Sequence, residues 1–160
     1  MAYDITSREI PDQPIVSIRE RIDQAELPIF FGRVFGELYG QLGRLAIAPD
    51  GEPFVIYHAF GPGGVDAEVC VPIATVAVPS DRIDSRVVPG TTVVETLHVG
   101  PYDELGEAYS ALMGWIGQHH FETAGPVRER YLNEPGPDVP PAAYRTIVQM
   151  PVVQAAVAAR

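Results

Sequence analysis

Apolar residues recur along this chain in two rhythms, short strand-like runs and two longer stretches at helical spacing. Residues 15–22, IVSIRERI, predict a first strand. From Leu27 to Ala48 the apolar positions Phe31, Val34, Phe35, Leu38, Leu42 and Leu45 fall on one helical face. Pro28 suits the first turn of that helix, and Pro49-Asp50-Gly51 stops it. Glycines 32, 36, 40 and 43 weaken the helix intrinsically and would be tolerated if a sheet or a ligand approaches that surface closely. FVIYHAF (54–60) and DAEVCVPI (66–73) predict two further strands around the turn GPGG at 61–64.

The order then repeats. Residues 83–88 predict a short strand, and TVVETLHV (92–99) a longer one. Gly100-Pro101 leads into a helix from about Asp103 to His119, with Leu105, Ala108, Tyr109, Leu112 and Ile116 on its apolar face. Strands centred on 127–132 and 145–150 follow, with the Pro/Gly-rich NEPGPDVPP between them. The halves align: Phe35-Gly36-Glu37-Leu38-Tyr39 with Leu105-Gly106-Glu107-Ala108-Tyr109, Tyr57 with Tyr131, and CVPI (70–73) with QMPV (149–152). The chain therefore reads as two βαββ units, about 15–74 and 83–152, within one α+β domain over 1–160. Pseudo-twofold symmetry, two helices on an antiparallel sheet, and a ligand cleft between the repeats are the expected architecture.

Composition narrows the function. The chain has 160 residues, 46% hydrophobic and 20% charged, the balance of a globular protein. Net charge is −10 and every basic side chain is arginine. Such a balance repels phosphate backbones, so direct nucleic-acid contact is not expected. No apolar run reaches transmembrane length, the N-terminus lacks a signal-peptide core, and no membrane partner is expected. The single cysteine, Cys70, lies in an apolar run and reads as a small buried hydrophobe. Cytoplasmic location is the default this implies. His58, His98 and His119-His120 have no spaced acidic or cysteine partners, so no metal or other cofactor is expected. GPGG lacks the helix and lysine of a phosphate-binding loop.

The segment VRERYLNEP (127–135) carries the main candidate. As a strand it places Arg128, Arg130 and Leu132 on one face and Val127, Glu129 and Tyr131 on the other. Two arginines together are expected to meet water, which turns Glu129 inward. A buried carboxylate needs a compensating partner or a proton. Read from the residues alone, that partner is an internal arginine or a tyrosine hydroxyl.

LHVGPYDELGEAYSALMGWI (97–116), RERYLNEP (128–135), DAEVCVPI (66–73) and YRTIVQMPV (144–152) together resemble the GyrI-like effector-binding domains, which also form the drug-sensing part of MerR- and AraC-type regulators. The resemblance covers about 14–152. It implies a duplicated βαββ domain that binds lipophilic, often cationic, small molecules in an aromatic cleft with a central glutamate. It implies Glu129, Tyr131, Tyr57 and Tyr102 as ligand-binding residues. Phe31, Glu68 and Trp115 are further candidates for the lining, each with packing as its alternative. Some stand-alone members resemble hydrolases that open cyclopropane rings of electrophilic natural products, with Glu129 and Tyr131 then catalytic. Relatives often carry an acid where this chain has Ile147, which weakens any function that uses it. No DNA-binding helix-turn-helix is expected before residue 15. A stand-alone drug-sensing or sequestering protein is the leading expectation, the hydrolase is the alternative, and a protein-interaction module is third.

Overall fold

A computed structural model describes residues 2–77, 80, 82–134 and 137–156. The chain divides into two compact units, one running from Pro11 to Gly90, the other joining the residues up to Ile10 with those from Thr91 onward. We call them the first and second units.

In the first unit, β2 (Gln13–Ile22), α1 (Leu27–Arg44), β3 (Phe54–Gly61) and β4 (Gly64–Pro72) form a βαββ series, with β5 (Asp84–Val88) added. The antiparallel order is β3-β4-β2-β5. Phe30, Val34, Leu38 and Leu42 of α1 are buried. Glu20, which alternation places with Val16 and Ile18, pairs with Arg33 of α1 at 3.1 Å, so the helix lies on that face. Ile15, Phe54, Ile56, Cys70 and Val88 form a separate cluster on the opposite face.

The second unit repeats the series with β6 (Thr91–Val99), α2 (Leu105–Gln118), β8 (Arg128–Tyr131) and β9 (Arg145–Gln154). Its antiparallel order is β8-β9-β6-β1, where β1 is Ile5–Ile10. A three-residue strand, β7 (Phe121–Thr123), pairs with the end of β9. Leu105, Ala108, Leu112 and Ile116 of α2 pack on Val94, Val148 and Val152. The matching orders β3-β4-β2 and β8-β9-β6 bear out the duplicated βαββ reading and the α+β class.

Several expectations need correcting. The first helix ends at Arg44, four residues early, because Ala46 turns left-handed at φ 54°. The Ala46 and Ile47 amides then bond to the Gly43 and Leu42 carbonyls, a reciprocal cap that glycine usually provides. The helical face is rotated by one position at its start, so Phe30 is core and Phe31 half-buried, while Leu45 is exposed. Among the described residues nothing approaches the helical glycines 32, 36 and 43 closely enough to require them. β1 and β7 were not expected; both are short and polar, and only pairing with β6 and β9 makes them strands. Part of the 133–141 connection lies outside the described residues.

Candidate functional site

The register of β8 on β9 sets Glu129 opposite Val148 and Tyr131 opposite Thr146. Val148 belongs to the core under α2, so alternation turns Glu129 and Tyr131 toward the helix. Glu129 is 7% exposed. Its Oε1 accepts a hydrogen bond from the Tyr131 hydroxyl at 2.8 Å, and its Oε2 accepts a short one from the Tyr109 hydroxyl of α2. Among the described residues no arginine forms an ion pair with it. Burial raises the Glu129 carboxyl above its usual range, outweighing the two tyrosine bonds and the nearby His98.

The turn after β6 supplies the next side chain. Gly100 adopts φ +140°, a conformation open to glycine, and a Cβ there would lie 3.5 Å from His98 Nε2. The Gly100 amide donates to the Tyr144 carbonyl at 2.8 Å, which fastens the turn to the start of β9. His98 is buried between two partners: Nε2 reaches the Pro101 carbonyl at 3.2 Å and Nδ1 meets the Tyr3 hydroxyl at 2.9 Å. A carbonyl can only accept, so in the neutral ring Nε2 carries the hydrogen and Nδ1 accepts from Tyr3. Tyr102 then stacks on Tyr144, centroids 4.8 Å apart, and meets Tyr131 edge-on at 5.9 Å. Burial, Tyr144, Glu129 and Glu134 push the Tyr102 phenol up to about 12. The second unit thus holds a buried glutamate under two tyrosine hydroxyls, with a three-tyrosine aromatic group joined to it through Tyr131.

Of the expected site residues, Glu129, Tyr131 and Tyr102 meet here. Trp115 belongs to the same unit but stacks on His119 at 3.8 Å and Phe121 at 5.8 Å, packed at the edge of the α2 core. Tyr57, Phe31 and Glu68 belong to the first unit. Tyr57 is buried opposite Ala67 on the helix face and meets Phe60 edge-on. Phe31 packs against Phe30 and Phe35. Glu68 lies opposite Ile56, one residue along the strand, so it faces away from Tyr57 and the two cannot line one cavity on that sheet.

Glu68 also corrects the histidine reading. It is 3% exposed and accepts from Ser17 Oγ at 2.7 Å, His58 Nε2 at 2.9 Å and Arg86 Nη2 at 2.6 Å. His58 therefore has an acidic partner that linear spacing did not reveal, because β3 and β4 pair with a bulge at that residue. Burial alone would raise the Glu68 carboxyl, but these three donors hold it below its usual range. Cys70 is fully buried, as expected. No cluster of three or more metal-ligating side chains occurs among the described residues. Arg128 is buried beside Glu129 on the chain, against the expectation that both arginines meet water; Arg130 donates to Gln149 Oε1 at 2.9 Å.

Tyr109, Tyr144, His98 and Tyr3 were missed as site residues. Tyr109 was legible in part: a tyrosine four residues after Leu105 carries a hydroxyl into a helix–sheet boundary, where it needs an acceptor.

The profile of the GyrI-like small molecule binding domain matches residues 3–153. No functionally curated protein matches the chain. Among solved structures, the EcmrR C-terminal domain is similar with a TM-score of 0.79 and 26% identity, over 96% of this chain and 99% of that one. In the EcmrR–DNA complex the likeness (TM-score 0.82, 24% identity) covers 95% of this chain but only 58% of EcmrR. A hydrolase from Listeria innocua shares the fold at TM-score 0.71 and 14% identity, over 93% of this chain and 91% of its own. SAV2435, solved with tetraphenylphosphonium, shares it at 0.60 and 15%, over 96% and 94%. Two βαββ units in the matching order and a profile match over nearly the whole chain lead to one assignment: the chain belongs to the GyrI-like small molecule binding domain family.

Proposed function

We propose that this chain binds lipophilic organic cations beside Glu129, in a drug-sensing or sequestering role. The observation that carries this reading is the chemistry around the Glu129 carboxyl. It is buried, held by two phenol hydroxyls, and joined by no arginine among the described residues. An incoming cation would supply the missing countercharge, and the faces of Tyr102, Tyr131 and Tyr144 suit cation–π contact. Proteins of this fold include one solved with tetraphenylphosphonium, which makes that cation the first probe. The net charge of −10 favours cationic partners and disfavours nucleic acid. No helix among the described residues is long and apolar enough to cross a membrane, which is compatible with a cytoplasmic role.

A second reading rests on the raised Glu129 carboxyl. A carboxyl that keeps its proton can donate it as an activated cyclopropane C–C bond breaks. Water would add at the other carbon, and its released proton would return to Glu129. A neighbour of the same fold is a hydrolase.

One experiment separates the two. Purified protein is titrated with tetraphenylphosphonium by calorimetry, then incubated with an activated cyclopropane compound and followed by mass spectrometry. Cation binding without conversion, weakened roughly 10- to 100-fold in Glu129→Gln, is the expected result, equal to about 1.4 to 2.8 kcal/mol. A product one water heavier that disappears in Glu129→Gln would establish the hydrolase instead.

A further inference from the structure

Thr146 is 0% exposed, and its Oγ1 has no hydrogen-bond partner among the described residues. Buried hydroxyls are almost always paired, and leaving one unpaired destabilises the fold. Its place is specific. On β9 it lies directly opposite His98 of β6 on one side and Tyr131 of β8 on the other. Directly opposed residues bring their Cβ atoms to about 5 Å. Glu129 is the next residue but one from Tyr131 on the same strand face. Thr146 therefore stands on the α2-facing side of the sheet, between His98 on one neighbouring strand and, on the other, Tyr131, whose hydroxyl reaches Glu129.

Neither neighbour meets the Thr146 hydroxyl. Both His98 ring nitrogens are engaged, by Tyr3 and Pro101, and the Tyr131 hydroxyl donates to Glu129. A purely structural strand would favour valine here, which has nearly the same shape and no polar atom to bury. β9 does use valine on this face at 148 and 152, both in the α2 core. It departs from valine opposite Tyr131, one same-face pair along from Val148, which lies opposite the glutamate.

We propose that Thr146 is a specificity-determining residue whose hydroxyl hydrogen-bonds the ligand, so that the preferred ligand is a lipophilic cation bearing a hydroxyl, ether or carbonyl group. This rests on the reading of Glu129 as the cation site and adds a polar subsite to it. A hydroxyl both donates and accepts, so any of these groups satisfies it. The same subsite disfavours an all-hydrocarbon cation, which leaves the hydroxyl unpaired.

The test uses the intact protein and matched probes: tetraphenylphosphonium, and the three positional isomers of (hydroxyphenyl)triphenylphosphonium, titrated by calorimetry. Wild type is expected to bind at least one isomer about five- to tenfold more tightly than tetraphenylphosphonium, as one satisfied buried hydrogen bond implies. Thr146→Val should erase that preference and melt at or above the wild-type temperature. Thr146→Ser, which keeps the hydroxyl, should keep the preference. If wild type binds all the isomers within twofold of tetraphenylphosphonium, or if Thr146→Val retains the preference, the polar subsite is overturned while the cation site stands. If wild type binds none of the four cations, the cation reading itself fails and this inference falls with it.

Discussion

Glu129 in the second unit and Glu68 in the first are both buried glutamates on antiparallel strands, 7% and 3% exposed. Their partners make them opposites. Glu68 receives hydrogen bonds from a serine, a histidine and an arginine, which together hold its carboxyl below the usual range against the cost of burial. Among the described residues Glu129 receives two phenol hydroxyls, and burial wins, raising its carboxyl. A neutral donor orients a carboxylate without balancing its charge. The comparison teaches that burial alone does not set the charge state of a carboxyl; the donors around it do.

The largest break in this comparison should come from Glu68→Ala. It leaves Arg86 and His58 without their acceptor, and removing one member of a buried pair costs about 3 kcal/mol, here about 2 because both cations are partly exposed. Urea unfolding should show that loss, whereas Glu129→Gln should change stability by less than about 1 kcal/mol. An equal loss in the two variants would remove the contrast.

The second prediction uses the opposite signs of the two shifts. Glu129 is raised above 4.5, so the folded protein holds its proton more tightly than the unfolded chain. Its contribution to stability is complete below the unfolded value and is lost as pH rises through the folded one. Glu68 is lowered from 4.5, so its contribution is present above that value and is lost as pH falls through the folded one. Thermal melts from pH 3 to 8 should therefore show Glu129→Gln gaining on wild type as pH rises above about 4.5. Glu68→Gln should close its deficit as pH falls below that value.

The smallest effect sharpens the site itself. The Tyr102 phenol should titrate near 12, seen in the ultraviolet difference between wild type and Tyr102→Phe. In Glu129→Gln the midpoint should move down toward the ordinary 10, because one nearby negative charge is gone. An unchanged midpoint would mean that Glu129 does not act on the aromatic group.

Much of the architecture was legible. The two helices, the hairpins and the repeat follow from apolar periodicity, which depends on local spacing. The errors fall where a distant partner decides. The first helix ends before its apolar periodicity does because its cap uses Ala46 in a conformation that sequence associates with glycine. β1 carries little apolar signal and becomes a strand through its ladder with β6. Arg128 was placed in water by its charge, yet the sheet buries it.

The site divides the same way. Alternation within RERY alone put Glu129 and Tyr131 on one face, but with Arg128 buried on the other face it did not decide which face lies inward. Trp115 and Phe31 share with Tyr102 their aromatic character, and the sequence set Tyr102 ahead of them chiefly through the family resemblance of its Gly-Pro-Tyr turn. Register decided it: β8 on β9 aligns Tyr131 with Thr146, and the Gly100 amide on the Tyr144 carbonyl brings Tyr102 to Tyr144. α2 delivers Tyr109 from 20 residues away in the chain. Sequence by itself determined which side chains share a face, because side-chain direction repeats with local backbone geometry. Only the tertiary structure decided which glutamate found an arginine and which found tyrosines, because hydrogen bonds act over a few ångströms of space and are indifferent to distance along the chain.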